Sequence, residues 1–199
     1  MGFALRQTAA PAAEPVTLDE TRNHLRVEHD RDDVLIEQQI ASARDYIEGE
    51  TGRQLITATW LLAFDAFPST VIRIPKPPLQ SITSVKYYDG DGVQQTMDAA
   101  DFQVDVYAEP GRITPAYGTS WPTTRAMLNA VQVTFVAGFG DASTDVAAAV
   151  LGQKLRQAVL LMVAHMYEFR EPVITGTIVN TVPMAVKSIV QSCRSGWIF

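Results

Sequence analysis

Residues 16–53 read VTLDETRNHLRVEHDRDDVLIEQQIASARDYIEGETGR. This stretch decides the fold class, because it opens two helices one after the other. Thr17 and Glu20 stand at capping-box spacing: the Thr17 hydroxyl can accept from the Glu20 N–H while the Glu20 carboxylate reaches back to the Thr17 N–H. A short helix is predicted from there to about Val27, with Leu18 and Leu25 on one face. Asp30 is the next start signal, and Asp32 and Asp33 follow in the first turn, where carboxylates meet the positive end of the helix dipole. Ile36, Ile40, Ala43 and Ile47 then recur at helical spacing. Gly52 supplies the stop, in the left-handed position that glycine takes most easily.

Beyond this pair the pattern changes. Trp60–Phe64, Val71–Ile74, Ile82–Tyr88, Phe102–Val106, Gly111–Thr114 and Val131–Ala137 read as short strands, and Val131 to Phe135 alternates with period two. Pro75, Pro77 and Pro78 cannot donate to a ladder, so the chain should cross there in a rigid extended form. Asp89-Gly90-Asp91-Gly92 reads as the turn of a hairpin. A long helix is predicted from Val146 to Arg170, ended by Pro172, with Leu151, Leu155, Val159, Met162 and Met166 in one stripe. Leu160, Leu161 and Val163 make its middle apolar nearly all round, so it must be enclosed by this chain or by neighbouring copies. Thr175–Val182 reads as a polar loop or strand, and Met184–Cys193 as a short last helix.

The predicted class is α+β: a helical bundle of two N-terminal helices, one long helix and a short C-terminal helix, carrying an inserted antiparallel β domain. The expected division is 1–15 as a flexible arm, because Ala9–Pro15 is rich in Ala and Pro. Residues 16–53 with 146–171 form the helical core, 54–140 the β-rich insertion, and 172–199 a C-terminal docking segment.

Composition narrows the function. The chain has 199 residues, 47% hydrophobic and 19% charged, enough for a core without disulfides or metals. Sixteen basic against 22 acidic side chains argue against a dedicated nucleic-acid binder, which would concentrate positive charge on one face. The imbalance is uneven: residues 1–150 hold 11 basic and 20 acidic side chains, residues 151–199 hold 5 and 2. That asymmetry suggests a different partner for the C-terminal end. The most apolar stretch, Ala158 to Ala164, is far shorter than the ~20 residues of a membrane span. The N-terminus has no signal-peptide pattern, and the single Cys193 cannot form an internal disulfide.

Motifs for chemistry fail one by one. Gly138-Phe139-Gly140 sits between strand and helix, but Ser143 stands where a dinucleotide fingerprint needs its third glycine. Asp89-Gly90-Asp91-Gly92 has Gln94 and Ala100 where a calcium loop needs Gly and Glu. Gly118-Thr119-Ser120-Trp121-Pro122 has proline in place of the second glycine of a nucleophile elbow. His165, Glu168 and Glu171 have no second histidine or cysteine nearby, and His24 and His29 sit among charges on the first helices. The expectation is no catalytic residue, no metal and no cofactor.

The order and spacing of several segments resemble phage head-tail connector (adaptor) proteins. Val16-Thr17-Leu18-Asp19-Glu20, His24-Leu25-Arg26-Val27 and Asp30-Arg31-Asp32-Asp33 before Leu35-Ile36 match the opening. Ala41 to Glu48 and Thr51-Gly52-Arg53 continue it. Pro77-Pro78-Leu79-Gln80-Ser81-Ile82, Val136 to Gly140 and the helix Arg156–Glu171 resemble the longer members, which carry a β-insertion. The resemblance implies a non-enzymatic subunit of a homo-oligomeric ring, commonly a dodecamer, in the virion of a tailed phage or a gene transfer agent particle. Such a ring is assembled in the bacterial host cytoplasm and lies at the head-tail junction, beneath the portal protein. It joins a stopper or tail-completion protein and extends the channel for double-stranded DNA without reading its sequence; no membrane is involved. An acidic body suits such a channel, because like charge limits adhesion of DNA to the wall.

Two alternatives stand beside this reading. One is another ring of the same particle, a stopper or tail-completion protein, which would be β-dominated without the opening helix pair. The other is a small ligand- or glycan-binding enzyme built on Trp60, Tyr87, Tyr88 and Trp121. For the connector reading, the expected subunit interface is the helix face of Leu155, Val159, Leu160, Leu161, Met162 and Met166. The expected portal-docking residues are Lys187, Arg194, Trp197, Ile198 and Phe199, apolar and basic groups at a chain end that buries little by itself.

Overall fold

The computed structural model describes residues 2–169 and 182–196. The chain divides into two compact units: residues up to Pro11 with Thr57–Gly138, and Ala12–Ile56 with the chain from Phe139 onward.

The first unit is all antiparallel β. Its larger sheet is built from β1 (Phe3–Ala9), β2 (Ala58–Phe64), β4 (Leu79–Tyr88), β5 (Gln94–Thr96) and β8 (Val131–Ala137), in the order β1-β2-β8-β4-β5. The smaller sheet runs β3 (Ile72–Ile74), β7 (Gly111–Pro115), β6 (Phe102–Asp105). The alternation read in β8 is realised residue by residue: Val131, Val133, Phe135 and Ala137 are buried, while Gln132, Thr134 and Val136 are half-exposed. As an interior strand, paired to β2 on one edge and β4 on the other, β8 needs only one apolar face. That face packs with Leu62, Val85, Ile72, Ile74 and Ile113 into the unit's core. Asp89 closes the β4–β5 hairpin with its own carboxylate, Oδ1 accepting from Val93 N–H at 2.9 Å and Asp91 N–H at 3.1 Å.

One expectation fails in this unit. The arm read over residues 1–15 begins as strand β1, paired with β2 from Phe3↔Phe64 to Gln7↔Trp60. The physical reason is that β2 offers a free edge, and Phe3-Ala4-Leu5 has the extended, apolar character that an edge accepts. The Ala- and Pro-rich residues after it are irregular, as their composition requires.

The second unit is helical: α1 (Leu18–Leu25), α2 (Asp33–Thr51), α3 (Ser143–Ala148), α4 (Val150–Glu168) and α5 (Met184–Cys193). Thr17 caps α1, its hydroxyl accepting from Glu20 N–H at 3.1 Å. The reciprocal half of the capping box is replaced, because the Glu20 carboxylate instead takes the Arg156 guanidinium of α4. Helix α2 starts at Asp33, three residues after the first start signal. Asp32 and Asp33 are used in tertiary contacts: Tyr167 OH donates to Asp32 at 2.6 Å and Arg22 pairs with Asp33 at 3.0 Å. Gly52 ends α2 in the left-handed region, φ 69°, as read. Ile36, Ile40, Ala43 and Ile47 of α2 meet Leu155, Ala158, Val159, Met162 and Val163 of α4, and Val186, Val190 and Cys193 of α5.

The single long helix predicted over Val146 to Arg170 is two helices. Ala149 is extended (φ −81°, ψ 130°) and separates α3 from α4. Gly152 makes this corner possible: a Cβ there would lie on the carbonyl oxygen of Val146, a backbone atom with nowhere to go. Arg170, the stop at Pro172 and most of the Thr175–Val182 segment lie outside the described residues.

Gly152→Ala should therefore destabilise the fold by about 1–3 kcal/mol, lowering the melting temperature by several degrees. Gly49→Ala, at a helical position where a Cβ meets open space, should leave melting unchanged or raise it slightly.

Candidate functional site

Among the described residues no metal-type cluster of His, Cys, Asp and Glu gathers, and the candidate sites are surfaces. Each sequence-read residue has a definite place on them or beneath them.

The expected interface face of α4 lies mostly inside. Leu155 and Val159 are 0% exposed and Met162 is 9% exposed, so they have no surface to offer a neighbour. The apolar middle of α4 is enclosed by the chain's own α2 and α5, because α5 brings the complementary stripe Val186, Val190, Cys193 at helical spacing. Leu160, Leu161 and Met166 are half-buried at the margin of the same core.

The C-terminal residues divide likewise. Residues 184–195 are structural, not free docking chain. Arg194 pairs with Glu50 at 2.7 Å and donates to the Glu50 carbonyl at 2.9 Å, a pair within the subunit that stays partly exposed. Ser195 N–H donates to the Thr51 carbonyl at 2.9 Å, and Arg53 Nε donates to the Cys193 carbonyl at 2.7 Å. Lys187 is exposed on α5. Trp197, Ile198 and Phe199 lie outside the described residues.

Sequence reasoning missed three arginines that hold the helical unit together. Arg156 donates to the Pro15 carbonyl at 2.8 Å and pairs with Glu20, joining α4 to the entry of α1. Arg44 pairs with Glu14 at 2.7 Å and with Glu48 at 3.4 Å. Burial alone would push its pKa down, but the hydrogen bond and charge of Glu14, with Glu48 and Asp45 nearby, hold it above the ordinary value. Arg53 is buried beside Cys193. The available signal was their position: Arg44, Arg53 and Arg156 stand in or next to apolar-periodic segments, where long basic side chains are seldom idle.

In the helical unit an open groove of about 430 Å³ is lined by Val16, Leu18 and Ile40, with Glu14, Glu37 and Ser143 at its rim. In the β unit, Tyr107 (95% exposed), Tyr117 (97%) and Leu128 (77%) stand out on loops. The stretch 87–111 contains Asp89, Asp91, Asp98, Asp101, Asp105 and Glu109 and no basic residue, though Arg112 pairs with Asp105 and Arg125 reaches the Asp91 carbonyl.

Of the aromatic set behind the enzyme alternative, Trp60, Tyr87 and Trp121 pack against the β unit's core, and Tyr88 is half-buried at the end of β4. Trp121 stacks on Phe67 at 4.8 Å with an interplanar angle of 4°, and its Nε1–H donates to the Thr70 carbonyl. Tyr87 meets Phe67 at 5.8 Å, and Lys76 sits over the Trp60 ring at 5.3 Å. His165 contacts the Phe169 ring; His24 and His29 are exposed. Among the described residues no three His, Cys, Asp or Glu side chains gather as a metal cluster, and no helix is long and apolar enough to cross a membrane.

With the geometry in place, likeness to other proteins is informative. Residues 15–103 match the phage gp6-like head-tail connector protein family, a match that includes the opening helix pair. Solved structures match over nearly the whole chain. A chain in the neck of an empty gene transfer agent particle, reconstructed with six-fold symmetry, is 25% identical with a TM-score of 0.78. A chain in the neck of the native particle, reconstructed with twelve-fold symmetry, is 25% identical with a TM-score of 0.74. A chain in the virion of the native particle, 23% identical with a TM-score of 0.78, shares the fold. Each match covers 98% of this chain and 97% of the other. No curated protein matches the chain.

Two outcomes follow from these contacts. Arg156→Ala should cost about 1.5–3 kcal/mol, because it strands the Pro15 carbonyl and the Glu20 carboxylate; urea unfolding would show it as a lowered midpoint. The second concerns pH. The hydrogen bond from Gln95, then that of the Val93 N–H, hold the Asp89 carboxyl below the usual carboxylate range, and Arg112 does the same for Asp105. Their contribution is therefore complete above that range and lost as pH falls through the depressed values. NMR titration should give midpoints for both carboxyls below those of model peptides, and Gln95→Ala should bring Asp89 back up.

Proposed function

We propose that this chain is a structural, non-enzymatic head-tail connector (adaptor): one subunit of a ring in the neck of a tailed phage or gene transfer agent particle. In this reading the ring binds beneath the portal protein, receives a stopper or tail-completion protein on its other side, and continues the channel for double-stranded DNA. The observation that carries the proposal is the joint match. The connector pattern over residues 15–103 and the neck-protein fold over 98% of the chain include both the opening helix pair and the β unit.

The physical features agree with this role. A channel subunit needs a surface that does not adsorb DNA, and the body of this chain is acidic. Twelve hydrophobic side chains, among them Tyr107, Tyr117 and Leu128, are exposed across the described residues, a feature that suits a protein covered in its assembled state. Leu160, Leu161 and Met166 retain partial exposure and remain available to an adjacent copy. Lys187 with Trp197, Ile198 and Phe199 forms the proposed portal hook. Its root is fixed, since Arg194 and Ser195 are bonded to the end of α2. The opening helix pair favours the connector over a stopper or tail-completion ring. The enzyme alternative is weakened, because three of its four aromatics, Trp60, Tyr87 and Trp121, take part in the unit's own packing.

Mixing the purified chain with tail-less, portal-bearing heads from cells lacking its gene tests the proposal. The chain should co-sediment with the heads in many copies per head and restore tail joining. A chain that neither binds such heads nor restores tails contradicts it. Removing residues 197–199 should leave melting unchanged but abolish head binding; retained binding would dismiss the hook alone.

A further inference from the structure

Strand β1 is poorly rewarded within its own subunit. Six of its seven residues are exposed, and only the half-buried Leu5 packs against the unit's core. It pairs along one edge, with β2, and stands first in the sheet order, which leaves its outer edge without a strand among the described residues. Proteins usually guard such an edge with Lys, Pro, a bulge or brevity. Here the protection is Arg6 and one register shift between Gln7 and Ala9.

The opposite side of the same sheet has a second open edge. β5 pairs only with Lys86–Tyr88, and the Met97 N–H takes the Val85 carbonyl at 2.9 Å. The preceding part of β4, residues 80–84, therefore has no strand on its outer side among the described residues. Its exposed residues there, Gln80, Ser81 and Thr83, carry no charge that would repel an incoming strand. Strand directions alternate through the sheet, so β1 runs antiparallel to β4. A copy placed alongside with its sheet in the same sense would present β1 to β4 in the antiparallel orientation. Charge does not oppose the pairing: residues 2–13 hold only Arg6, and residues 80–84 hold no charged side chain.

We infer that β1 of one subunit adds as a strand to the open 80–84 edge of β4 in the next, so that the larger sheet continues from copy to copy around the ring. The inference rests on the proposed connector role. The occupant is a second copy of this chain, because the matched neck chains come from reconstructions with six-fold and twelve-fold symmetry. Rotational symmetry of that kind requires two different patches that meet head to tail. The two edges of one sheet are such a pair, and backbone hydrogen bonds along them give register as well as cohesion.

Cysteine pairs test it. Single cysteines at Ala4, Arg6 or Thr8 are combined in turn with cysteines at Ser81, Thr83 or Ser84, covering both strand parities and several registers; directly opposed residues fall within disulfide range. Mild oxidation of the ring assembled on heads should produce a ladder of covalent dimers, trimers and higher species for at least one pair. The control pair Ala4→Cys with Thr114→Cys, on the smaller sheet, should give none. Rings that form normally while no pair gives a ladder overturn the inference and leave the connector role standing. A β1 cysteine that links instead to a different particle protein also overturns it. A chain that binds no heads and forms no ring removes the connector role and this inference together.

Discussion

The helical unit depends on one buried corner at the C-terminal end of α2. Glu48, 7% exposed, accepts from the Leu55 N–H at 2.8 Å and from Gln54 Nε2 at 2.9 Å, and faces the Arg44 guanidinium. A carboxylate this deep is tolerable only when its lone pairs are filled by donors, and here they are. The consequence is geometric. The chain turns sharply after Gly52, Arg53 reaches the Cys193 carbonyl, and Thr51 takes both the N–H and the hydroxyl of Ser195. Residues about 140 positions apart in sequence are thereby joined, and α5 is seated where it closes the core over α4.

That corner also explains what was legible in the sequence and what was not. Features decided by neighbours within four residues could be read directly: the Thr17 cap, the Gly52 stop, the hairpin at Asp89 and the alternation of β8. Features decided by distant partners could not. Nothing local says that Glu20 will pair with Arg156 across the bundle instead of returning to Thr17, or that Asp32 will meet Tyr167. The apolar middle of α4 signalled that something must cover it, but periodicity does not say whether the cover is α5 or another subunit. The same ambiguity hid β1, since a short extended segment becomes a strand only when an edge such as that of β2 is available. The break at Ala149 was missed because Val146 to Glu168 is apolar enough to continue as one helix; the corner depends on Gly152 lying against the Val146 carbonyl.

For the candidate site, the family pattern was legible because caps and stops in fixed order are themselves local features. The burial of the α4 stripe was not. Leu155, Val159 and Met162 were singled out for being apolar, and that property places a side chain in a core more often than on a contact surface. Exposed groups such as Tyr107 and Tyr117 are better markers, and their exposure is a property of the folded loops. In the proposed ring the β unit's edges and loops, with the half-exposed Leu160, Leu161 and Met166, are the surfaces open to a neighbour, while the fully buried core of the helical unit stays within the subunit.

The central claim is that many copies of this chain form a ring at the head-tail junction. Cryo-electron microscopy of that junction, in particles from the producing cells, tests it most directly. The account predicts a closed ring between portal and tail whose repeating density fits the helical bundle and the two-sheet unit of this chain. A junction whose density is fully explained by other proteins, or that contains this chain as a single copy, would contradict it.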